Sequence, residues 1–436
     1  MVESLAAGPL RPLADLVQGL NTSAVPIQRA QEILAQWLTP VETVEQLSLR
    51  TCRGRILATD IRSPIDVPQH DNSAMDGWAI RSADLASDGT TRLRAVDGAA
   101  WAGRPWSGTL AKGQCLRIFT GAVMPAGADT VIAQEFSHLE QRLSDSNEAL
   151  TDILFDPGQE PGQNRRLAGE DLRRGEVALV AGTRLGPAHL GLAASLGLAE
   201  LPIRRRLRVA LLSTGDELRS IGEALGPGEI YDSNRFTLSA MLEQLGLDLI
   251  DLGVVRDDPI ALETQLRRGA AAADVIVSSG GVSVGEADFT RSVLARIGEV
   301  AFWTVAMRPG RPFALGRVGP AVYFGLPGNP VAVMVTFLFL VRDALERMSG
   351  ALLTPRFPLK VRSAHPLRKR KGRTEYQRAI VRQGVNGDPE AHPTGQQGSG
   401  VLSSMARANA MIVLQHDQGD VREGEFVDAF LFDGLL

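Results

Sequence analysis

The chain has 436 residues, 44% of them hydrophobic and 22% charged. That length predicts about two to four domains, and that composition excludes a predominantly disordered chain. Lys and Arg number 46 against 50 Asp and Glu, a formal net charge of −4, and only 5% of residues are aromatic; a strongly basic nucleic-acid binder and a stacking platform for single strands are both excluded on bulk terms.

Residues 1–23 read as a loose extension. Apolar positions Ile27, Ala30, Ile33, Leu34 and Trp37 recur at helical spacing, so the spacing predicts a helix over 26–38 that stops before Pro40. Residues 44–62 read as strand-like with a break at Gly54. Over 63–167, short apolar runs at 78–80, 115–119 and 130–133 sit between turn signals, the pattern of a small β domain. The polar stretch 137–150 reads as a hairpin excursion or an exposed loop. A strand at 176–180 and a helix near 187–196 follow. From 207 to 350 apolar strands (207–212, 249–255, 274–278, 321–326) alternate with helices (235–245, 259–273 and from Pro330 onward). That rhythm predicts βαβ units and a parallel sheet buried on both faces. From 351 the chain reads as β again, at 359–362, 376–381, 410–414 and 426–431, with a basic run at 368–371.

Cys52 and Cys115 are too few for a disulfide scaffold or a four-cysteine zinc site, so both are expected as small buried hydrophobes in a reducing compartment. The six histidines form no HExxH pattern. The start lacks a basic segment followed by an apolar one, and the strongest apolar run, 331–341, falls short of the ~20 residues a bilayer requires. A soluble, cytoplasmic protein with no membrane partner is the expectation.

Several polar segments have the residue types of a site. The loop 71–78 brings Asp71, Asn72, Ser73 and Asp76 together before a strand; it is either a capped turn or a functional loop. Ser213-Thr214-Gly215-Asp216-Glu217 follows a strand, where open α/β sheets bind ligands; acids there suit a hard metal ion or a ribose hydroxyl. In 278–288, Gly280 and Gly281 allow backbone amides to approach a phosphate, the serines add donors, and Asp288 could hold Mg²⁺ against it. This segment is neither GxGxxG nor a Walker A loop. Arg308 and Arg311, spaced by prolines and a glycine, suit a tetrahedral oxyanion or phosphate, and equally a solvated surface. Pro327 to Pro330 precedes a helix whose first amides face a positive helix end. Arg378 and the Ser-rich loop 398–404 offer a further oxyanion contact. No Ser-His-Asp order and no Cys-His pair emerges.

Taken together, DNSAMDGWAI at 71–80, STGDEL at 213–218, IYDSN at 230–234, SSGGVSVGEADFT at 278–290, RPGRPFALG at 308–316 and FGLPGNPVA at 324–332 resemble the molybdopterin molybdenumtransferase (MoeA-type) family of molybdenum cofactor synthesis. The order and spacing match over about residues 26–430. The resemblance implies a multidomain α/β-plus-β chain. A discontinuous, elongated linker domain would take 24–62 and 168–206, its 24–43 helix packing on the α/β domain. A small β domain would take 63–167, an α/β pterin-binding domain with a parallel sheet 207–350, and a β-barrel-like domain 351–436. It implies insertion of molybdate into adenylylated molybdopterin with Mg²⁺-dependent release of AMP. It also implies a homodimer and transient contact with the molybdopterin adenylyltransferase and recipient molybdoenzymes, with no nucleic-acid partner.

On the matched positions the resemblance implies catalytic roles for Asp76, Thr120, Asp171, Glu217, Asp257 and Asp288. It implies substrate contacts for Ser279, Gly280, Gly281, Ser283, Pro327 and Pro330, and molybdate contacts for Arg308, Arg311, Arg378 and Ser399. Asp288 and Glu217 would hold Mg²⁺. In the elongated dimer, Asp76 is expected to act beside the partner's Asp288. One departure stands out: the family commonly has lysines where Arg308 and Arg311 stand, and often another at Thr304. Lys and Arg are not interchangeable at a close-fitting site, so the choice between molybdate and tungstate is open. Two rival readings are an upstream adenylyltransferase, whose fold resembles 207–350, and a scaffold protein on the same fold.

Overall fold

Four apolar runs after residue 207 become parallel strands because both faces of each are covered. The computed structural model describes residues 12, 13, 15, 24–87, 89–143, 149–282 and 289–433. Contacts divide the chain into two compact units. One comprises the residues up to 58 with 181–186 and 200 onward; the other comprises 59–180 and 187–199.

The first unit includes the strands β1 (Arg208–Thr214), β2 (Asp248–Val255), β3 (Val275–Ser279), β4 (Gly298–Thr304), β5 (Met307–Arg308), β6 (Pro312–Val318) and β7 (Ala321–Leu326). Of these seven, all but β5 form one sheet in the order β2-β1-β3-β7-β6-β4. The first four are parallel. The parallel expectation stops there: β6 and β4 run antiparallel, because residues 319 and 320 turn β6 directly back into β7, with Gly319 at φ +56°. A two-residue turn of this kind requires positive φ, and a parallel crossover would need a dozen or more residues.

Alternate residues of each strand point to opposite faces. Val209, Leu211, Val275, Val277 and Phe324 pack on one side with helices α1 (Ile27–Trp37), α2 (Ser233–Gln244) and the helical stretch from Pro330. Ala210, Leu212, Ile276 and Tyr323 pack on the other with α3 (Pro259–Ala272) and α4 (Phe289–Ile297). The apolar positions read from the spacing of α1 are all buried. Two polar links reinforce α1: the Val25 amide donates to the Thr304 carbonyl at 2.9 Å, and Gln31 Nε2 donates to the Phe339 carbonyl at 2.8 Å. The helix at 330 is longer than a single regular element. Pro330–Thr336 is followed by a wider turn, Phe337–Val341, and then Arg342–Met348.

Arg205 grips Asp274, just ahead of β3, with both terminal nitrogens at 2.7 Å. Burial would raise the Asp274 carboxyl, but the Arg205 fork and the Arg208 amide outweigh it and hold it below the usual range.

The C-terminal strands are β8 (Leu359–Ser363), β9 (Thr374–Gln383), β10 (Pro389–Pro393), β11 (Ala410–Leu414) and β12 (Phe426–Leu431). They pair in the order β9-β10-β8-β12-β11, and β11 returns to β9, which closes a five-stranded barrel. The strand at Pro389–Pro393 carries little apolar signal and was not foreseen. Two-residue β5 adds to β9 in parallel register, Met307 beside Thr374 and Arg308 beside Glu375.

The second unit holds an antiparallel-rich sheet of six strands. In spatial order they are Thr130–Ala133, Gly77–Ile80, Gln114–Ile118, Thr91–Ala100, Ala149–Phe155 and Ser137–Leu143. The last two form a hairpin in the polar stretch; residues 144–148 lie outside the described residues. The stretches 24–62 and 168–206 pair twice. Val44–Ser48 lies against Glu200–Arg204 in the first unit, and Ile61–Arg62 against Val177–Leu179 in the second. Both cysteines are buried and unbridged, and desolvation pushes the Cys115 thiol up to about 12. Among the described residues no helix is long and apolar enough to cross a membrane.

Phe324 is fully buried at the centre of the sheet, 6.3 Å from the Phe313 ring. Phe324→Ala should cost about 3–5 kcal/mol, read as a lower midpoint for the first unit in chemical denaturation.

Candidate active site

The carboxyl ends of β1, β3 and β7 lie side by side, since Ser213 is in register with Ser279 and Ser279 with Leu326. The loops that leave these ends therefore converge. They surround a cavity of about 1120 Å³ whose remaining wall comes from 308–312, Arg373 and the barrel loop 397–402. Ligands of open α/β sheets sit at this edge.

A buried polar network ties the loops together. Asn234, on the first turn of α2, donates through Nδ2 to Ser279 Oγ at 2.8 Å and to the Gly328 carbonyl at 2.7 Å. Asp232 caps the same helix by accepting from the Arg235 amide at 3.1 Å and also accepts from Ser213 Oγ at 3.1 Å. Asn234 and Asp232 both line the cavity. Their signal was the IYDSN block, which marks the chain's resemblance without disclosing that the Asn would be the knot between three loops.

The glycine pair is required by close approach as well as by backbone angle. Gly280 and Gly281 have φ of +89° and +66°. A Cβ on Gly280 would lie 2.5 Å from the Thr214 carbonyl oxygen, and one on Gly281 2.2 Å from Thr290 Oγ1. The amides are less available than the sequence implied. The Gly280 N–H donates to the Leu326 carbonyl at 3.1 Å, so it serves the sheet edge and not a phosphate. The Val331 N–H, at the helix start after Pro330, donates to the Ser399 carbonyl at 3.0 Å. Pro327, Pro330, Ser279 and Ser399 all line the cavity. Ser283 and Asp288 lie outside the described residues.

Acids occupy one part of the wall. Glu217 and Asp257 both line the cavity, and Asp216 Oδ1 accepts from the Asp257 amide at 3.2 Å. Partial desolvation pushes the Asp257 carboxyl above its usual range, and the like charges of Asp216 and Glu217 push it further. Among the described residues no three acids or histidines form a ready metal cage. Mg²⁺ keeps several waters and needs one or two carboxylates, so crowded, mutually repelling carboxylates are a suitable donor set for it.

Arginines occupy another part. Arg308, with a side chain 56% exposed, and Arg311 both reach the cavity. Arg378 does not. It is fully buried, and its guanidinium donates to Ser404 Oγ at 3.0 Å and to the carbonyls of Gln396, Gln397 and Gly398 at 3.2, 3.2 and 2.9 Å. The expectation that Arg378 contacts the oxyanion is thus corrected: its donors are consumed in shaping the loop that carries Ser399. Burial lowers its pKa to about 10, with the charge of Arg308 adding to the effect.

The second unit holds the other sequence-derived acids. Asp76 Oδ1 accepts from both the amide of Thr120, at 2.8 Å, and its hydroxyl, at 2.7 Å. These bonds, backbone first, hold the exposed Asp76 carboxyl below the usual range. Asp71 is a brace. It accepts from Arg165 Nε at 2.9 Å and from the Ala168 amide at 2.7 Å, tying the 71–76 loop to the loop that leads to exposed Asp171. The capped-turn reading of this loop holds for Ser73, whose Oγ bonds the Met75 backbone, while Asp76 itself projects to solvent.

Two consequences can be measured. Gly281→Ala should lower the melting temperature and weaken any ligand of this cavity, because the added carbon meets Thr290. Thr120→Val keeps the amide donor and removes the hydroxyl, so the Asp76 carboxyl pKa should rise in a carbon-detected NMR titration while the fold of the unit is unchanged.

Comparison with known proteins gives these features a family. Residues 25–197 match the model of the MoeA N-terminal region (domain I and II), 210–347 that of a probable molybdopterin binding domain, and 360–432 that of the MoeA C-terminal region (domain IV). The chain is 42% identical to a molybdopterin molybdenumtransferase of Haemophilus influenzae, over 94% of this chain and 98% of the relative. It is 36% identical to one of Nostoc, over 96% and 94%. A crystal structure of a molybdopterin biosynthesis protein from Pyrococcus horikoshii superposes with a TM-score of 0.75 at 31% identity, covering 94% of this chain and 99% of that one. The domain order, the sheet-edge cavity and full-length similarity agree: this chain belongs to the molybdopterin molybdenumtransferase family, transferases of molybdenum cofactor biosynthesis.

Proposed function

We propose that this chain inserts molybdate into adenylylated molybdopterin and releases AMP with the help of Mg²⁺. The observation that carries the reading is the cavity that joins carboxylates at the β1 and β2 ends to arginines at 308 and 311. A substrate with a phosphate-bearing end and an oxyanion co-substrate needs such a divided wall. Glu217 and Asp257 would hold Mg²⁺, with Asp288 supplied by the Gly-rich segment. The bound ion would neutralise charge on the pyrophosphate and on the departing AMP.

The chain's own residues do the positioning. Asn234 keeps the Ser279 and Gly328 loops in fixed relation, so the wall that receives the nucleotide is set before binding. Arg308 and Arg311 present guanidinium forks to molybdate. No nucleophilic side chain is needed, because molybdate or water supplies the attacking oxygen. Asp76 and Thr120 would serve the same reaction, and the protein would work as a homodimer in the cytoplasm, handing its product to apo-molybdoenzymes.

Purified protein given adenylylated molybdopterin, Mg²⁺ and molybdate should release AMP and yield cofactor that reconstitutes an apo-molybdoenzyme. ATP consumption with pyrophosphate release would point to an adenylyltransferase instead, and no nucleotide turnover at all to a scaffold. Asp288→Asn should slow AMP release at least tenfold, about 1.4 kcal/mol in the barrier, with an unchanged melting curve. Changing Arg308 and Arg311 together to Ala should raise the molybdate concentration needed for insertion; an unchanged molybdate dependence would assign them to phosphate or to structure.

A further inference from the structure

We propose that a second cavity, at the amino ends of the sheet strands, is a polyphosphate-binding site separate from the sheet-edge cavity. It measures about 290 Å³ and is lined by residues of the first unit alone. Arg206 stands just ahead of β1, and Leu245 and Gly246 just ahead of β2, so the strands lie between this cavity and the other. At about 3.3 Å per residue, the seven residues of β1 set the two ends of the strand about 20 Å apart. The lining carries five arginines, Arg53, Arg55, Arg184, Arg206 and Arg342, and one acid, Glu346. That acid is engaged by Arg184 Nη2. Outside the lining, Glu45 accepts from Arg55 Nη2 at 2.8 Å, and Asp248 stands 3.7 Å from Arg206. Five guanidiniums against these three carboxylates leave a positive surplus, in a chain whose formal net charge is −4. A concave, locally cationic site on a net acidic chain is suited to an anionic ligand.

The walls are tied together before any ligand arrives. Arg184 Nη1 donates to the Gly54 carbonyl at 2.9 Å and to the Leu245 carbonyl at 3.4 Å, while its Nη2 reaches Glu346. One guanidinium thus joins the 53–55 turn, the end of α2 and the helix Arg342–Met348. Preassembled walls reduce the ordering cost of binding. Phe337 and Arg342, both in the lining, bracket the wide turn Phe337–Val341. Turns of this i→i+5 kind are rare within helices and frequent at functional sites. Burial lowers the pKa of Arg342, and the charge of Arg356 adds to the effect; Glu346 and Asp343 oppose it, and Arg184 lowers it again. Bringing an anion between such cations relieves their repulsion. Arg53 and Arg206 are exposed, and Arg53 belongs to no ion pair among the described residues. A single phosphate would occupy one or two forks. Forks delivered from 53, 206 and 342 call for several linked phosphates, because each pairs with its own tetrahedral group. Nucleoside triphosphates and inorganic polyphosphate share this chemistry. The proposal goes beyond the reaction of the previous subsection and does not depend on it.

Calorimetric titration of the full-length protein with sodium tripolyphosphate, without Mg²⁺, tests the site. ATP and inorganic phosphate are separate arms. Arg53→Ala combined with Arg206→Ala should weaken tripolyphosphate binding at least tenfold, about the order expected for lost charge-assisted contacts. Both side chains are exposed, so the circular dichroism spectrum should be unchanged. Arg308→Ala combined with Arg311→Ala, in the other cavity, should bind tripolyphosphate as wild type does. Tripolyphosphate should also raise the melting temperature of the wild type and not that of Arg53→Glu combined with Arg206→Glu. ATP binding tighter than tripolyphosphate identifies a nucleoside triphosphate as the ligand, and ATP binding no tighter identifies the inorganic chain. Inorganic phosphate binding as tightly as tripolyphosphate overturns the polyphosphate assignment. No binding by the wild type overturns the site, as does binding that survives the Arg53 and Arg206 changes and is lost with those at Arg308 and Arg311. Absence of AMP release would sink the proposed reaction and leave these titrations unaffected, so the two readings fail separately.

Discussion

A strand of only two residues in the first unit links the α/β sheet to the barrel. Met307 and Arg308 pair in parallel with Thr374 and Glu375, and this two-residue ladder is a seam between the α/β sheet and the barrel, joined by the packing of Phe339 on Tyr376. With it, the barrel contributes Arg373 and the 397–402 loop to a wall that the sheet loops begin. The same barrel strand continues to Arg378, which gathers the carbonyls of Gln396, Gln397 and Gly398, and the adjoining Ser399 carbonyl accepts the Val331 amide. Register therefore carries the geometry from the sheet into the barrel and back to the helix start.

Polar satisfaction explains why so many candidate donors turn out to be occupied. A buried amide or guanidinium left without an acceptor costs about 1–3 kcal/mol, so the folded chain uses its own carbonyls wherever a loop is enclosed. Gly280, Val331 and Arg378 are satisfied in this way. Arg308, Arg311 and Arg373 line the cavity. The division is chemical as well as spatial: no arginine is among the charges that shift Asp257, whose carboxyl responds to desolvation and to Asp216 and Glu217. On the proposed function, acidic and basic groups on one cavity wall would serve a metal-associated phosphate and an oxyanion respectively.

Much of this was legible in the chain. Periodicity located α1, the four parallel strands and most barrel strands, because each has a continuous or regularly spaced apolar pattern that reports burial directly. Residues 298–304, 312–318 and 389–393 escaped, since their apolar content is interrupted and their pairing is decided by neighbours distant in sequence. The Asp76–Thr120 contact spans 44 residues; the resemblance picked out the two residues separately, and their hydrogen bond is visible only in the fold. Arg378 carried the barrel's expected oxyanion contact, and it is fully buried, whereas Arg373, five positions before it, lines the cavity.

By itself the sequence determined the domain rhythm, the family and the residue types of the site, because hydrophobic period, turn chemistry and motif order are local properties. Tertiary structure alone decided which donors face the cavity. Glu375, on β9, is buried with Arg373 and Arg308 beside it, while Arg378, on the same strand, spends its donors on the carbonyls of the 396–398 loop. The availability of a hydrogen-bonding group depends on what else can reach it, and that is set by register between segments far apart in the chain.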